Sequence, residues 1–204
     1  MQDLVKLARV SNTICFYGGK GSGKSLAMAY FGYKAHKLFG IPIYANMPLT
    51  VDYTHVDTFA TFTGMNNCIF IGDDFELWAN SRLYFSKKSK TLMEIILNLG
   101  KRRVAPFMWS CKRPMNCDVQ LRDVTDIWIE CKMFLNGDPQ TVEEWHELRK
   151  YINNCYVYMD VYDYKGNYDH SEVLTDLDRW ILLYDTFYEI KDIEYKEQPS
   201  YRHD

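Results

Sequence analysis

The sequence predicts an α/β fold: a mostly parallel sheet flanked by helices on both faces, with extra strands toward the C-terminus. Three observations predict it. A β-rich run, Thr13-Ile14-Cys15-Phe16-Tyr17, enters a glycine-dense turn, and an apolar helical pattern from Leu26 to Phe31 leaves it. A second β-rich run, Cys68-Ile69-Phe70-Ile71-Gly72, ends on Asp73-Asp74. Strand-like and helix-like segments alternate through the first two thirds of the chain, the pattern of βαβ units and parallel pairing.

The turn, Gly18-Gly19-Lys20-Gly21-Ser22-Gly23-Lys24-Ser25, fits G-x-x-x-x-G-K-[ST], the P-loop that wraps a nucleotide's phosphates. Four glycines within six positions let the backbone curl until several N–H groups converge on one anion. The helix beginning near Lys24 points its positive end at the same place. Lys24 would reach the β- and γ-phosphates, and the Ser25 hydroxyl would hold Mg²⁺. The binding set is therefore Gly18, Gly19, Lys20, Gly21, Ser22, Gly23, Lys24, Ser25 and Leu26. A glycine-rich surface turn is the alternative; a strand before it and a helix after it favour the nucleotide reading.

The remaining elements follow in order. Residues 1–11 offer Leu4, Val5, Leu7, Ala8 and Val10 as an amphipathic lead-in. The first helix closes near residue 39 at Gly40, a C′ glycine. Ile41 to Ala45 is a short strand with Pro42 tolerated near its start, and Asn46 to Leu49 turns out of it. Val56 to Phe62 predicts a short helix, broken by Gly64-Met65-Asn66-Asn67. Leu92, Ile95, Ile96 and Leu99 have helical spacing and predict a helix over Lys90–Arg102. Val104 to Ser110 is the next strand, interrupted early by Pro106. From Thr125 the run Val124 to Cys131 alternates apolar and polar residues, as a strand with one wet face does. Cys155 to Asp163 reads as another strand, turning at Lys165-Gly166-Asn167. The polar tail after Lys191 is expected to fray. One domain over 1–204 is expected, with its nucleotide-binding core at 13–130, C-terminal strands and a helix at 131–190, and a tail at 191–204. The Tyr-rich residues 151–190 either form an interface or extend the sheet.

At 204 residues the chain is long enough for one full α/β core. Apolar residues make up 47% and charged ones 25%, which places it among ordinary soluble globular proteins. A net charge of −3 provides no global attraction to nucleic acid or membrane, so any DNA contact must come from local basic patches. The six cysteines form no C-x-x-C pair and no metal-finger spacing, and most sit in apolar runs as small hydrophobes. Reduced thiols and the lack of a long apolar run or signal-peptide core point to a cytoplasmic, non-transmembrane protein.

Phosphate binding alone is not hydrolysis; that needs a metal-holding acid and a group to aim a water. Asp73 and Asp74 stand at the carboxyl edge of the strand after the loop helix, the Walker B position. Asp73 would hold the Mg²⁺ shell and Asp74 would polarise the attacking water, with Glu76 as the fallback base. At the end of the next strand Lys112 is the candidate γ-phosphate sensor and Ser110 the second. Arg122 is the candidate arginine finger across a subunit interface, with Arg102 and Arg103 as competitors and a plain surface role open to all three. Lys87, Lys88, Lys90 and Arg82 form a basic patch that could touch DNA phosphates or simply be solvated. The five histidines show no metal spacing.

With these residues in view, the chain resembles the small ATPases of archaeal viruses and plasmids in the FtsK/HerA superfamily, close to the N-terminal domain of Zot-like proteins. The resemblance spans roughly residues 13–130. It is carried by the P-loop Gly18–Ser25, by Ile43-Tyr44-Ala45-Asn46-Met47-Pro48-Leu49, by Ile69–Asp74 with Asn80-Ser81-Arg82, and by Lys112-Arg113-Pro114 followed by Asp118, Leu121 and Arg122. Asp74 stands where the family usually has Glu, and Lys112 where it has Gln. The resemblance implies ATP and Mg²⁺ as cofactors and ATP-driven translocation of double-stranded DNA by a homo-oligomeric ring, in virus genome packaging or plasmid transfer. It also implies a capsid or membrane protein partner, and a place in the host cytoplasm or the virion. The alternative it leaves open is a nucleotide-gated assembly or morphogenesis factor acting on proteins. A small-molecule kinase is a weaker reading because no arginine-rich lid segment is present, and no Asn-Lys-x-Asp guanine motif argues for a GTPase.

Overall fold

The computed structural model describes residues 13–79, 87–137, 141, 143–144 and 152–184. The lead-in, the tail, and the Asn80-Ser81-Arg82 stretch lie outside the described residues. In chain order the elements are β1 (Thr13–Tyr17), α1 (Lys24–Phe39), β2 (Ile43–Ala45), β3 (Thr54–His55), α2 (Phe59–Gly64), β4 (Cys68–Gly72) and α3 (Lys87–Leu97). They continue with β5 (Val104–Cys111), α4 (Val119–Asp123), β6 (Ile127–Leu135), β7 (Cys155–Asp163), β8 (Tyr168–Leu174) and α5 (Leu177–Trp180).

All eight strands join one sheet in the order β3-β2-β4-β5-β1-β6-β7-β8. From β3 to β6 every pairing is parallel; β6–β7 and β7–β8 are antiparallel. The expected fold class holds. The Tyr-rich segment extends the sheet, with Cys155, Val157, Met159 and Val161 of β7 alternately buried. The central strands are apolar throughout because both faces are covered. On one face α1 and α5 pack over Phe16, Ile71, Met108 and Ile129; on the other Phe62, Trp78, Leu92 and Leu121 cover Phe70, Phe107 and Trp109. Each fully buried large side chain contributes about 1.5–3 kcal/mol, so α1, which buries Leu26, Met28 and Phe31, is held mainly by packing.

How closely α1 lies on the sheet decides where its N-terminus points. Gly32 weakens the helix by about 1 kcal/mol relative to Ala. A Cβ there, however, would collide with Ile71 and crowd Met108, so glycine lets α1 sit down on β4 and β5.

Several boundaries differ from expectation, each for a local reason. The helix expected over 56–62 starts at Phe59, because Thr58 Oγ1 caps it by accepting from the Thr61 N–H while the Val56 N–H pairs with Ala45 O. The helix expected over 90–102 is Lys87–Leu97, followed by a tighter turn at Gly100–Arg102. Pro106 does not break β5; the β4–β5 register shifts between Cys68 and Phe70, absorbing one extra residue. The strand expected from Val124 begins at Ile127, since Asp118 Oδ1 caps α4 through the Gln120 N–H and Thr125 Oγ1 still donates to Leu121 O. It then runs on to Leu135.

All six cysteines are buried and free, and burial pushes the Cys68 thiol up to about 12. No helix among the described residues is long and apolar enough to cross a membrane.

Candidate functional site

The glycine turn leaves β1 in the middle of the sheet and passes directly into α1. Gly23, the helix's N-cap, has φ 88° and offers no side-chain cap, and the first turn of α1 carries no acidic residue. A Cβ at Gly23 would fall onto Val157 as well as strain the backbone. The leading N–H groups of a 16-residue helix are therefore left for an anion. Lys24 is 9% exposed and folds its ammonium back onto the turn, donating to Gly18 O at 3.1 Å and Gly19 O at 3.0 Å. The Ser22 hydroxyl is buried with no partner among the described residues. Leu26 differs from the rest of its set: its side chain lies in the core, 2% exposed, leaving only backbone to face the turn.

Opposite the turn, parallel β4 delivers Asp73. Ser25 Oγ donates to Asp73 Oδ2 at 2.6 Å, and Ser110 Oγ donates to Asp73 Oδ1 at 2.6 Å. Ser110 Oγ also accepts from the Asp74 N–H at 2.8 Å. One carboxylate thus ties the start of α1 to the ends of β4 and β5. Asn46, just past β2, fixes the backbone beneath it: its Nδ2 donates to Asp73 O at 2.8 Å and its Oδ1 accepts from the Asp73 N–H at 2.7 Å. Asn46 is 3% exposed, so Asn46→Ala strands two backbone groups. We expect that variant to lose about 1–3 kcal/mol, read as a lower urea midpoint with an unchanged slope.

Asp74 follows with φ 44°, a left-handed conformation that Asp and Asn tolerate better than most residues. Although the residue is exposed overall, partial withdrawal of its carboxyl from water raises it above the ordinary value. The Asp73 charge adds to this, Lys24 opposes it and Glu76 reinforces it.

The other predicted residues lie elsewhere. Lys112 has an exposed side chain, and its backbone N–H donates to Glu76 Oε2 at 3.1 Å. Ser110, the second candidate there, is fully buried and holds Asp73, because strand alternation turns it toward α1, while Lys112 lies past the strand's end. Arg122 is half-buried, donates from Nη1 to Met115 Sδ at 3.3 Å, and keeps a buried Nε without a partner among the described residues. It lines a groove of about 810 Å³ with Tyr17, Trp128 and Tyr162, away from Asp73. Arg102 donates to Thr63 O, and Arg103 adjoins the start of β5, at the sheet edge opposite the P-loop. Of the basic patch, Arg82 lies outside the described residues, and Lys90 is exposed.

Sequence reasoning missed two features. Asn46 was visible as a turn residue and as part of the Ile43–Leu49 motif, but not as the side chain that fixes the Asp73 backbone. The C-terminal extension of β6 walls a cavity of about 500 Å³ beside the P-loop, between Lys20 and Ser22 on one side and Lys132, Phe134 and Leu135 on the other. That volume is within the usual range for small-molecule sites.

Solved structures share this architecture. The N-terminal domain of zonular occludens toxin from Neisseria meningitidis aligns with a TM-score of 0.55 and 14% identity, covering 86% of this chain and 100% of that one. The genome packaging NTPase B204 of Sulfolobus turreted icosahedral virus 2, in complex with ATP-gammaS, aligns at 0.52 and 12%, covering 82% and 98%. The flagellar accessory protein FlaH from Methanocaldococcus jannaschii aligns at 0.50 and 13%, covering 85% and 90%. The fold is theirs. No protein-family model matches the sequence, and no curated protein matches it either. Identities this low speak for fold alone, so the chemistry has to be argued from the residues.

Proposed function

We propose that this protein hydrolyses ATP with Mg²⁺ and uses the energy to move double-stranded DNA, as part of a homo-oligomeric ring. The observation that carries the hydrolysis is the Asp73 carboxylate bridging Ser25 and Ser110, beside a P-loop whose helix end is left uncapped. Gly18 to Ser25 would wrap the triphosphate, the Ser22 hydroxyl would find its acceptor there, and Lys24 would exchange its two carbonyls for phosphate oxygens. Ser25 and Asp73 present oxygens only, the donor set of a hard cation, and fit Mg²⁺. Bound there, the ion would neutralise charge building on the phosphates. Asp73 would keep Ser25 oriented, and Asp74, one residue on, would accept a proton from the attacking water.

DNA as the cargo is supported by the likeness to a genome packaging NTPase. Arg122 is proposed as the trans-acting arginine, since the residue is only half-buried and its guanidinium end lies at the surface, where Nη1 meets Met115. The likeness to a zonular occludens toxin domain and to a flagellar accessory protein supports a second reading: a nucleotide-gated assembly factor with protein partners. Steady-state ATPase assays with and without double-stranded DNA, run beside mass measurement in ATP, test both. Stimulation by DNA together with assembly into a ring is expected. A flat rate on DNA addition would leave the second reading standing and remove the first.

A further inference from the structure

Glu76, Cys111 and Cys117 show no metal-finger spacing along the chain, yet the fold gathers them. One ligand atom from each lies within 4.8 Å of the others. Cys111 is the last residue of β5, Cys117 follows the tight turn Pro114–Asn116, and Glu76 stands in the turn just after Asp74. Both cysteines are fully buried, and a third buried sulfur, Cys15 Sγ, stands 3.8 Å from Cys111 Sγ. Thiolates sharing one tetrahedral zinc at about 2.3 Å each are about 3.8 Å apart.

Packing explains three small thiols in a core, but not the carboxylate among them. Glu76 is half-buried and accepts the Lys112 N–H through Oε2; among the described residues no lysine or arginine pairs with it. Among the described residues, a half-buried carboxylate therefore faces buried sulfurs with a backbone N–H as its partner, and the three together offer the mixed sulfur and oxygen donors of a metal site. We infer that Glu76, Cys111 and Cys117, with Cys15 at their margin, form a site for a thiophilic divalent cation of the zinc class. Its sulfur-rich donor set separates it from the oxygen-only pair Ser25 and Asp73, so the two sites would select different ions. Three protein ligands leave a fourth position for Cys15 or a water. The ion would pin the end of β5 to the turn after β4, the two segments that carry Ser110 and the Asp73-Asp74 pair. This inference does not depend on the nucleotide chemistry.

Titration of the reduced, metal-free full chain with Co²⁺, in the absence of nucleotide, tests it. Expected are thiolate-to-cobalt charge-transfer absorption and tetrahedral visible bands that saturate at about one equivalent and are displaced by Zn²⁺. Zn²⁺ at a hundredfold over its Kd should raise the melting midpoint by roughly 5–10 °C. Cys111→Ser and Cys117→Ser should lose the bands, while Cys68→Ser, a buried thiol of β4 elsewhere in the same core layer, should keep them. Absence of charge-transfer bands in the unmodified chain overturns the inference, whether or not the variants fold. Bands of undiminished intensity in both Cys111→Ser and Cys117→Ser overturn it as well.

Discussion

Lys24→Ala is expected to abolish ATP hydrolysis, with kcat/KM falling by at least roughly a thousandfold. Removing one preorganised donor from a developing oxyanion costs about a hundred- to a thousandfold in rate, and a hydrogen bond to a charged group contributes about 1.5–3 kcal/mol to binding as well. Lys24 acts on both counts, because the β- and γ-phosphates it would contact carry charge before and during transfer. Its confinement sharpens the expectation. At 9% exposure, with its ammonium held between Gly18 O and Gly19 O, it cannot be replaced by a surface lysine swinging in. Arginine would not restore the function, since a planar fork does not fit where a point charge is enclosed by a tight turn. The check is a steady-state phosphate-release assay beside a nucleotide-binding titration, with circular dichroism to show that the variant is folded. Wild-type turnover in a folded Lys24→Ala protein would refute the reading of the turn as the catalytic phosphate cradle.

What could be read from the sequence was whatever depends on local pattern. The glycine turn is local, so Gly18 to Ser25 were legible as a unit. The end of β4 was legible because an apolar run buried on both sides must stop where two carboxylates begin. The meeting of Asp73 with Ser25 followed from strand–loop–helix topology, which brings the carboxyl ends of parallel strands to one edge. Which way a side chain turns at a strand's end was not legible from the chain alone. Ser110 and Lys112 differ by two residues and share strand parity, but β5 ends at Cys111, so Lys112 falls beyond the pleat and points to solvent. The extension of β6 past Cys131 was missed because Lys132 and Phe134 lie on its wetter face, where pairing with Tyr158 and Tyr156 of β7 supplies what burial does not. β8 was missed because an edge strand reading Tyr-Asp-His-Ser-Glu carries no apolar alternation at its start. The cluster of Glu76, Cys111 and Cys117 lay beyond any spacing rule, because its parts arrive from the end of β5 and from two separate turns.

Asp74→Asn is expected to lower kcat by roughly a hundred- to ten-thousandfold while leaving nucleotide affinity within a few-fold, because the base acts only in the chemical step. Asparagine is the right replacement at φ 44°, where alanine would add about 1–2 kcal/mol of backbone strain and confuse the result. The same variant has a pH signature whose sign is fixed. The Asp74 carboxyl is raised by loss of water around it first and by the Asp73 charge second, with Lys24 opposing and Glu76 reinforcing, so folding disfavours its ionised form. The wild-type protein therefore gains stability from this group as pH falls through its raised value, and lacks that gain at neutral pH. Asn, which never ionises, should melt higher than wild type at neutral pH, and the difference should shrink to nothing as pH falls toward the ordinary aspartate value near 3.8. Activity should show the matching limb: wild-type kcat rising with pH as Asp74 ionises, and the residual kcat of Asp74→Asn lacking that rise. A folded Asp74→Asn protein that hydrolyses ATP at the wild-type rate would take the base away from Asp74. Glu76 could not simply inherit the role where it stands, because its carboxylate is turned to the Lys112 N–H and the buried thiols rather than to the P-loop.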